Sequence, residues 1–348
     1  MEIRDLLLLC IEKGASDLHV TENEPPILRV DGRLVRTALT VLGKQDLKRM
    51  IYSVLSNSQK EIFERELELD FSLALPGLDR FRVNIHLQKG SVEAAFRRIP
   101  LDVPSVEGLN LPQIITDLAR KPNGLVLVTG PTGMGKTTTL AAMINLINSE
   151  RECLVTCIED PIEFIFANKK SIIKQREVYA DTHSFAQALR HALRQDPNVI
   201  VVGEMRDLET IATALTAAET GHLVLATLHT PDAPQTISRI IDVFPPYQQQ
   251  QVKLQLSDCL QGVVSQLLLP HMSGKGRVLA TEIMIATPGI RNLIREQHIE
   301  QIPTLMQTGL QFGMRTMDKS LKELTQKGLI SIDIAMAKVK NSEEFKQL

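Results

Sequence analysis

The sequence predicts an α/β protein, with a parallel sheet covered by helices and a smaller α+β domain before it. Two patterns support this prediction. From Leu125 onward, uninterrupted aliphatic strands alternate with helical patterns, which is typical of a parallel sheet buried on both faces. Up to about Ile99 the segments are short and strand-like, separated by Gly, Pro and Asp, around two helical stretches near 44–67.

The elements follow in order along the chain. The first domain, residues 1–99, contains the strand patterns SDLHV, ILRVDGRLVRT, LDFSLAL, RFRVNIHLQ and SVEAAFRRI. Residues 100–112 have no clear period and are rich in Pro and Gly, which predicts a linker. The second domain, residues 113–348, contains the strands LVLVT, LVTCIED, NVIVVGE, HLVLATLH, GVVSQLLLP and VLATEIMIA, and becomes mainly helical from about residue 287.

Composition excludes several classes of protein. The 348 residues carry a net charge of −2, with 4% aromatic residues and no Trp. A nucleic-acid-coating protein or a base-stacking platform is therefore not expected. The sequence contains no run of eighteen apolar residues, so we expect no insertion into a membrane and a cytoplasmic location. The four cysteines form no CxxC pair, which argues against a zinc knuckle or a disulfide framework.

A phosphate-binding loop is the most specific motif. The segment GPTGMGKT, residues 130–137, fits GxxxxGK[ST] and lies between the strand LVLVT and a helical pattern. Glycines let consecutive backbone N–H groups turn toward phosphates, and the helix N-terminus adds positive potential. Lys136 is expected to reach the β- and γ-phosphates, and the hydroxyl of Thr137 is expected to bind Mg²⁺.

Carboxylates and a histidine are expected beside this loop, because carboxyl ends of neighbouring parallel strands share one crevice. The strand NVIVVG is followed by Glu204, and Glu163 stands in the loop after LVTCIED. His229 ends the strand HLVLATL and could sense the γ-phosphate, whereas His222 begins that strand and lies at its other end. The alternative is that these are solvated strand ends and structural histidines.

Four segments in one order carry a family resemblance: GPTGMGKTTT, IEDPIEF, VIVVGEMRD and TAAETGHLVLATLHT. They resemble the Walker A, Asp box, Walker B and His box of the type II/IV secretion ATPases. The segments GASDLHV, RIIDVFPPYQQQQVKLQLSDCLQGVVSQLLLP and GIRNLIRE narrow the resemblance to the retraction ATPases of type IV pili.

The resemblance implies a homohexamer of subunits that have a PAS-like N-terminal domain, a RecA-like core and C-terminal helices. Such rings hydrolyse ATP with Mg²⁺ in the cytoplasm, bound at the inner membrane to a platform protein and to the base of the pilin filament. The residues that it assigns to nucleotide are Gly130, Pro131, Thr132, Gly133, Met134, Gly135, Lys136, Thr137 and Thr138.

Further roles come from the same resemblance. Glu204 is implied as the Walker B glutamate, which binds Mg²⁺ through water, and Glu163 as the acid that acts on the attacking water. His222 and His229 form the implied His-box pair.

Arg82 and Arg97 are implied to reach the nucleotide of a neighbouring subunit. Arg98, on the opposite face of the strand, is the competitor of Arg97 for this role. The alternative is that these are ordinary solvated arginines.

Two positions depart from the family pattern. Met134 replaces a Ser, for which we expect altered affinity or rate, and Gly289 replaces an Ala, which allows a different start of the helix. In Ile290–Arg295 the apolar residues predict an amphipathic helix with Arg291 and Arg295 on another face. The resemblance makes this segment a determinant of retraction, and a purely structural helix is the alternative.

Several other functions are alternatives to pilus retraction. A pilus-assembly or type II secretion ATPase usually carries a tetracysteine insert and a longer N-terminal region, which this sequence lacks. An accessory retraction paralogue is a further alternative. A non-catalytic paralogue is disfavoured by Lys136, Glu163 and Glu204, and a RecA-type helicase by the neutral charge and the scarcity of aromatic residues.

Overall fold

The computed structural model describes residues 2–30, 32–75, 79–99, 103–274, 276–340 and 345. The chain divides into two compact units. The first contains Met1–Val103 and Pro161–Ile165, and the second contains Pro104–Asp160 and Phe166–Leu348.

The first unit is an antiparallel sheet with three helices. Its elements are α1 (Ile3–Glu12), β1 (Asp17–Val20), β2 (Ile27–Val30), β3 (Arg33–Arg36), α2 (Lys44–Tyr52), α3 (Asn57–Glu66), β4 (Glu68–Ala74), β5 (Arg80–Gln88) and β6 (Ser91–Ile99). The sheet order is β3-β2-β1-β6-β5-β4. Alternate residues of β5, namely Phe81, Val83 and Ile85, are buried, as expected for strands with one face on a core. The predicted α+β character is confirmed.

The second unit is a seven-stranded mixed sheet. Its strands are β7 (Gly124–Thr129), β8 (Leu154–Glu159), β9 (Ile172–Glu177), β10 (Val199–Val202), β11 (Leu223–Leu228), β12 (Leu260–Pro270) and β13 (Arg277–Ile285), in the order β13-β12-β7-β11-β10-β8-β9. The pairings from β12 to β9 are parallel, and β13 joins β12 in antiparallel orientation. Every residue of β7 and β11 is buried, so the predicted parallel sheet is confirmed.

Helices cover both faces of this sheet. They are α4 (Gln113–Ala119), α5 (Lys136–Glu150), α6 (Phe185–Ala192), α7 (Leu208–Glu219), α8 (Ala233–Asp242), α9 (Pro246–Cys259), α10 (Pro288–Arg295), α11 (Ile302–Thr308), α12 (Met317–Gln326) and α13 (Ile332–Met336). Short 3₁₀ turns occupy Ile299–Gln301 and Leu310–Phe312. Residues of α4 and α5 belong to one apolar core, residues of α6 to α11 to a second, and residues of α12 and α13 to a third.

Two regions differ in detail from the sequence pattern. The strand β9 was not predicted, because its sequence IIKQRE has only two apolar residues, followed by four polar or charged ones, and lies at a sheet edge. The predicted linker, residues 100–112, begins with Pro100, Leu101 and Asp102, which lie outside the described residues. Val106 and Leu111 are buried in the core beneath α4 and α5, so residues 104–112 pack as part of the second unit.

Candidate nucleotide-binding site

The phosphate loop connects the end of β7 to the start of α5. Gly130 has φ +138°, and a Cβ there would lie 2.5 Å from the carbonyl oxygen of Gln266 on β12. Gly135 has φ +80°, in the left-handed region that residues with a side chain rarely adopt. Glycine is therefore required at both positions, one for close approach and one for the turn into the helix.

Lys136 is the first residue of α5 and is only 8% exposed. Its Nζ donates to the carbonyl oxygens of Gly130 at 2.8 Å and Pro131 at 3.0 Å. The ammonium group is thereby held within the loop, at the positive end of the helix dipole, where an anion binds most favourably.

Glu204 and His229 meet at the carboxyl ends of the adjacent strands β10 and β11. The Nε2 atom of His229 lies 3.5 Å from Oε2 of Glu204, and its Nδ1 lies 3.4 Å from the hydroxyl of Thr132 in the phosphate loop. Arg206 forms an ion pair with Glu204. Burial and the positive charges of Lys136 and Arg206 lower the pKa of His229. The imidazole is thus neutral at pH 7 and links the loop to the carboxylate.

The strand β12 supports the loop from the other side. The buried Gln266 donates from Nε2 to the hydroxyl of Thr139 at 2.7 Å, and the sulfur of Met134 accepts the backbone N–H of Leu268 at 3.2 Å. Nη1 of Arg277, at the start of β13, lies 3.4 Å from the carbonyl oxygen of Gly133. The sequence analysis did not predict these contacts. The polar pair Ser265-Gln266 inside the apolar strand GVVSQLLLP is the sequence signal that could have indicated them.

Thr137 and Thr138 follow Lys136 in the first turn of α5, where both are half-buried. The Walker B position before Glu204 is Gly203, and a Cβ there would lie 3.2 Å from the carbonyl oxygen of Ile158. This tight packing between β10 and β8 explains the small residue where related motifs usually carry an Asp.

Glu163 and His222 were also predicted for this site. Glu163 is exposed and belongs to the segment Pro161–Ile165, which groups with the first unit. His222 precedes β11, and its Nδ1 lies 3.0 Å from the carbonyl oxygen of Ala217. Since β11 spans six residues, His222 and His229 are about 20 Å apart. Within one chain, His222 therefore does not reach the phosphate loop.

The two predicted arginines of the first unit lie opposite each other on neighbouring strands. Arg82 of β5 pairs in register with Arg97 of β6, and both are exposed. Arg97 bonds Asp17, whereas Arg98 forms its ion pair with Asp79. Arg97 and Arg98 thus have different partners, as expected for adjacent strand residues that point to opposite faces.

The predicted helix after Thr287 is α10, whose arginines hold the end of α9. Arg291 donates to the carbonyl oxygens of Ser257, Asp258, Leu260 and Ala286. Arg295 donates to the Ser257 hydroxyl and to the Asp258 carboxylate. Their predicted common face is confirmed, and it packs on the negative end of the α9 dipole. Gly289 is exposed, and a Cβ there would meet only the flexible end of Leu305, at 3.2 Å.

These elements define the class of protein as a P-loop NTPase, in which a glycine-rich loop, its lysine and a carboxylate on a neighbouring strand converge at one edge of a parallel sheet. A profile of the family described as type II/IV secretion system protein matches residues 2–333. The chain belongs to this family.

Similar proteins extend over nearly the whole chain. The type IV pilus retractation ATPase PilT of Pseudomonas aeruginosa is 50% identical over 345 residues, which cover 99% of this chain and 100% of that protein. A twitching motility protein of Neisseria gonorrhoeae is 51% identical over 320 residues, 92% of this chain and 86% of its own. A crystal structure of the pilus retraction motor PilT with bound ADP matches with a TM-score of 0.94 at 46% identity, covering 100% of both chains. The predicted fold class is confirmed by this match.

Within the described residues, none of the helices is long and apolar enough to cross a bilayer.

Proposed function

We propose that this protein is a homohexameric, ATP-hydrolysing motor that drives the retraction of type IV pili. One observation carries the proposal. Lys136, Thr132, Glu204 and His229 come together around the phosphate loop, in a chain that matches a pilus retraction ATPase along nearly its full length. The protein works in the cytoplasm, bound to a platform protein at the inner membrane and to the base of the pilin filament.

In the proposed reaction, residues 130–138 hold the phosphates of ATP by their backbone N–H groups, and Lys136 binds the β- and γ-oxygens. With Mg²⁺ bound, Glu204 would order the water around the ion, and Glu163 orients the attacking water. The neutral His229 holds the Glu204 carboxylate and the Thr132 hydroxyl together. A change at the γ-phosphate is thereby transmitted to two strands of the sheet.

Mg²⁺ fits the oxygen atoms available at this site. The Thr137 hydroxyl and the Glu204 carboxylate are hard ligands, and Mg²⁺ usually takes only one or two side chains beside phosphate oxygens and water. Among the residues that the structure describes, none of the His, Cys, Asp and Glu side chains form a group of three or more able to hold a metal alone. Mg²⁺ would be held here by Thr137 and Glu204 together with the nucleotide, and it would neutralise phosphate charge.

Arg82 and Arg97 complete the site of a neighbouring subunit in this proposal. A guanidinium group offers two N–H donors in a fork that fits a phosphate, and such a group acts only when the neighbour closes. Lys136→Ala and Arg97→Ala subunits, each inactive alone, are expected to recover activity when mixed, because some interfaces then lack both defects. Hybrid rings that regain no phosphate release would contradict the action in trans.

Deletion of the gene, followed by imaging of pili, tests the direction of work. Loss of a retraction motor is expected to give hyperpiliated cells that do not twitch. A plasmid that carries the wild-type gene is expected to restore twitching, whereas one that carries Glu204→Gln is not. Bald cells would instead favour a pilus-assembly ATPase. Normal pili with retraction weakened only under load would favour an accessory paralogue.

Strong stimulation of ATP hydrolysis by single-stranded DNA would contradict the proposed retraction motor and favour a helicase. Phosphate release by the purified protein, measured with and without DNA, separates these two functions.

A further inference from the structure

A row of charged residues runs across four strands of the sheet in the first unit. Asp17 on β1 lies directly opposite Arg29 on β2 and Arg97 on β6, and Arg97 lies opposite Arg82 on β5. Residues opposite each other on neighbouring strands share a face of the sheet. Three guanidinium groups and one carboxylate therefore stand in a line on one face.

Asp17 is the buried member of this row, with 6% of its surface exposed. Its Oδ1 accepts a hydrogen bond from Nε of Arg97 at 2.9 Å, and its Oδ2 accepts one from the hydroxyl of Ser16 at 2.8 Å. Oδ2 also lies 3.6 Å from Nε of Arg29. Burial by itself would raise the pKa of Asp17, but the bonds from Ser16 and Arg97 outweigh it and hold the pKa below its usual value. The carboxylate is therefore a fixed negative charge at pH 7.

Among the described residues, Arg97 is held through only one of its three side-chain nitrogens. Its side chain is 68% exposed, whereas that of Asp17 is 9% exposed. The bond to Asp17 uses Nε, and within the described part of the chain neither terminal Nη group of Arg97 makes a hydrogen bond. The two nitrogens that form a fork toward phosphate thus remain exposed, with the carboxylate behind them.

We infer that Asp17 is a positioning residue for Arg97, which fixes the guanidinium from behind so that its two terminal nitrogens engage the γ-phosphate of a neighbouring subunit. Asp17 also offsets the repulsion between Arg82 and Arg97, since like charges directly opposite on a sheet destabilise each other. The inference rests on the proposed action of Arg97 in trans. It adds a residue of the GASDLHV segment, which has no role in the mechanism above.

The Asp17→Ala variant tests this role through the pattern of its defect. It is expected to bind fluorescent ADP with an affinity within about 2-fold of the wild type, because the phosphate loop is unchanged, while phosphate release at saturating ATP falls about 10-fold or more. Mixed with Lys136→Ala subunits it recovers activity, and mixed with Arg97→Ala subunits it does not.

Glu93→Ala is the matched control. Glu93 lies on β6 of the same sheet, is 5% exposed, and accepts hydrogen bonds from the Thr21 hydroxyl and the Glu22 N–H. It is expected to lower thermal stability, as Asp17→Ala does, and to keep phosphate release near the wild-type rate below the unfolding transition.

Two results would overturn the inference: wild-type turnover of Asp17→Ala, or hybrid rings of Asp17→Ala with Lys136→Ala that stay inactive. Wild-type turnover of Arg97→Ala alone would instead overturn the proposed action in trans. The two failures are therefore distinguishable.

Discussion

The sulfur of Met134 accepts the backbone N–H of Leu268 at 3.2 Å and so joins the phosphate loop to β12. The strand β7 pairs with β12 only as far as Ser265, beyond which β12 continues to Pro270 beside the loop. The thioether thus supplies an acceptor where the neighbouring strand has ended. A residue that departs from the family pattern by sequence has a definite partner in the structure.

Replacing Met134 with Leu is expected to weaken ADP binding about 2- to 5-fold, because Leu keeps the volume but removes the acceptor, and a hydrogen bond contributes roughly 0.5–1 kcal/mol. Fluorescent ADP titration measures the change. Met272→Leu is the control, since Met272 is 63% exposed in the turn after β12. Equal affinity of the two variants would show that Met134 only fills space.

Replacing Glu204 with Gln is expected to preserve ADP binding and ring formation while lowering phosphate release at least about 100-fold, because the charge that orders metal and water is lost without a change of shape. Glu209→Gln, which breaks an exposed ion pair with Arg190, is the matched control and should turn over normally. Near-wild-type turnover of Glu204→Gln would reject its assignment.

The phosphate loop and the strands around it could be predicted because their signals are local. Glycines at 130 and 135 are required by the backbone itself, and continuous aliphatic runs identify buried parallel strands. Glu204 and His229 follow from the same logic, since carboxyl ends of parallel strands meet at one edge.

The contacts that support the site could not be predicted, because they join residues far apart in sequence. Leu268 is 134 residues from Met134, and Arg97 is 80 residues from Asp17. Neither pair leaves a periodic pattern, and only the strand register brings its members together. The edge strand β9 could not be predicted for another reason. Its exposure to solvent on one side removes the apolar run on which strand prediction depends.

The hydrogen bonds of Arg291 predict that the α9–α10 junction is sensitive to the guanidinium shape. Arg291→Lys is expected to lower the free energy of unfolding by about 1–3 kcal/mol, because one ammonium group cannot serve four carbonyl oxygens spread over two segments. Chemical denaturation measures this loss. Arg295→Lys, with its more exposed partner Asp258, is expected to cost about 1 kcal/mol or less. Equal costs would contradict the special role of Arg291.

Lys340 holds two buried carboxylates at the start of α8. Its Nζ lies 2.7 Å from Oδ2 of Asp232 and 3.9 Å from Oε2 of Glu282, and both acids are about 5% exposed or less. Burial raises the pKa of Glu282, although the N–H of Ala233 and the charge of Lys340 partly oppose this. A raised pKa in the folded state means that Glu282 favours folding at low pH. This advantage is lost as the pH rises from the unfolded value through the folded one.

Lys340→Met is therefore expected to destabilise the protein more at pH 8 than at pH 5. At pH 5 Glu282 takes up a proton more readily, because its pKa is raised, and needs its cation less, whereas at pH 8 it is charged. The loss at pH 8 should be about 1–2 kcal/mol, discounted for the 56% exposure of the Lys340 side chain. Denaturation at fixed protein concentration measures the loss, with the exposed Lys327→Met as control. An equal loss at both pH values would show that Lys340 acts on Asp232 alone.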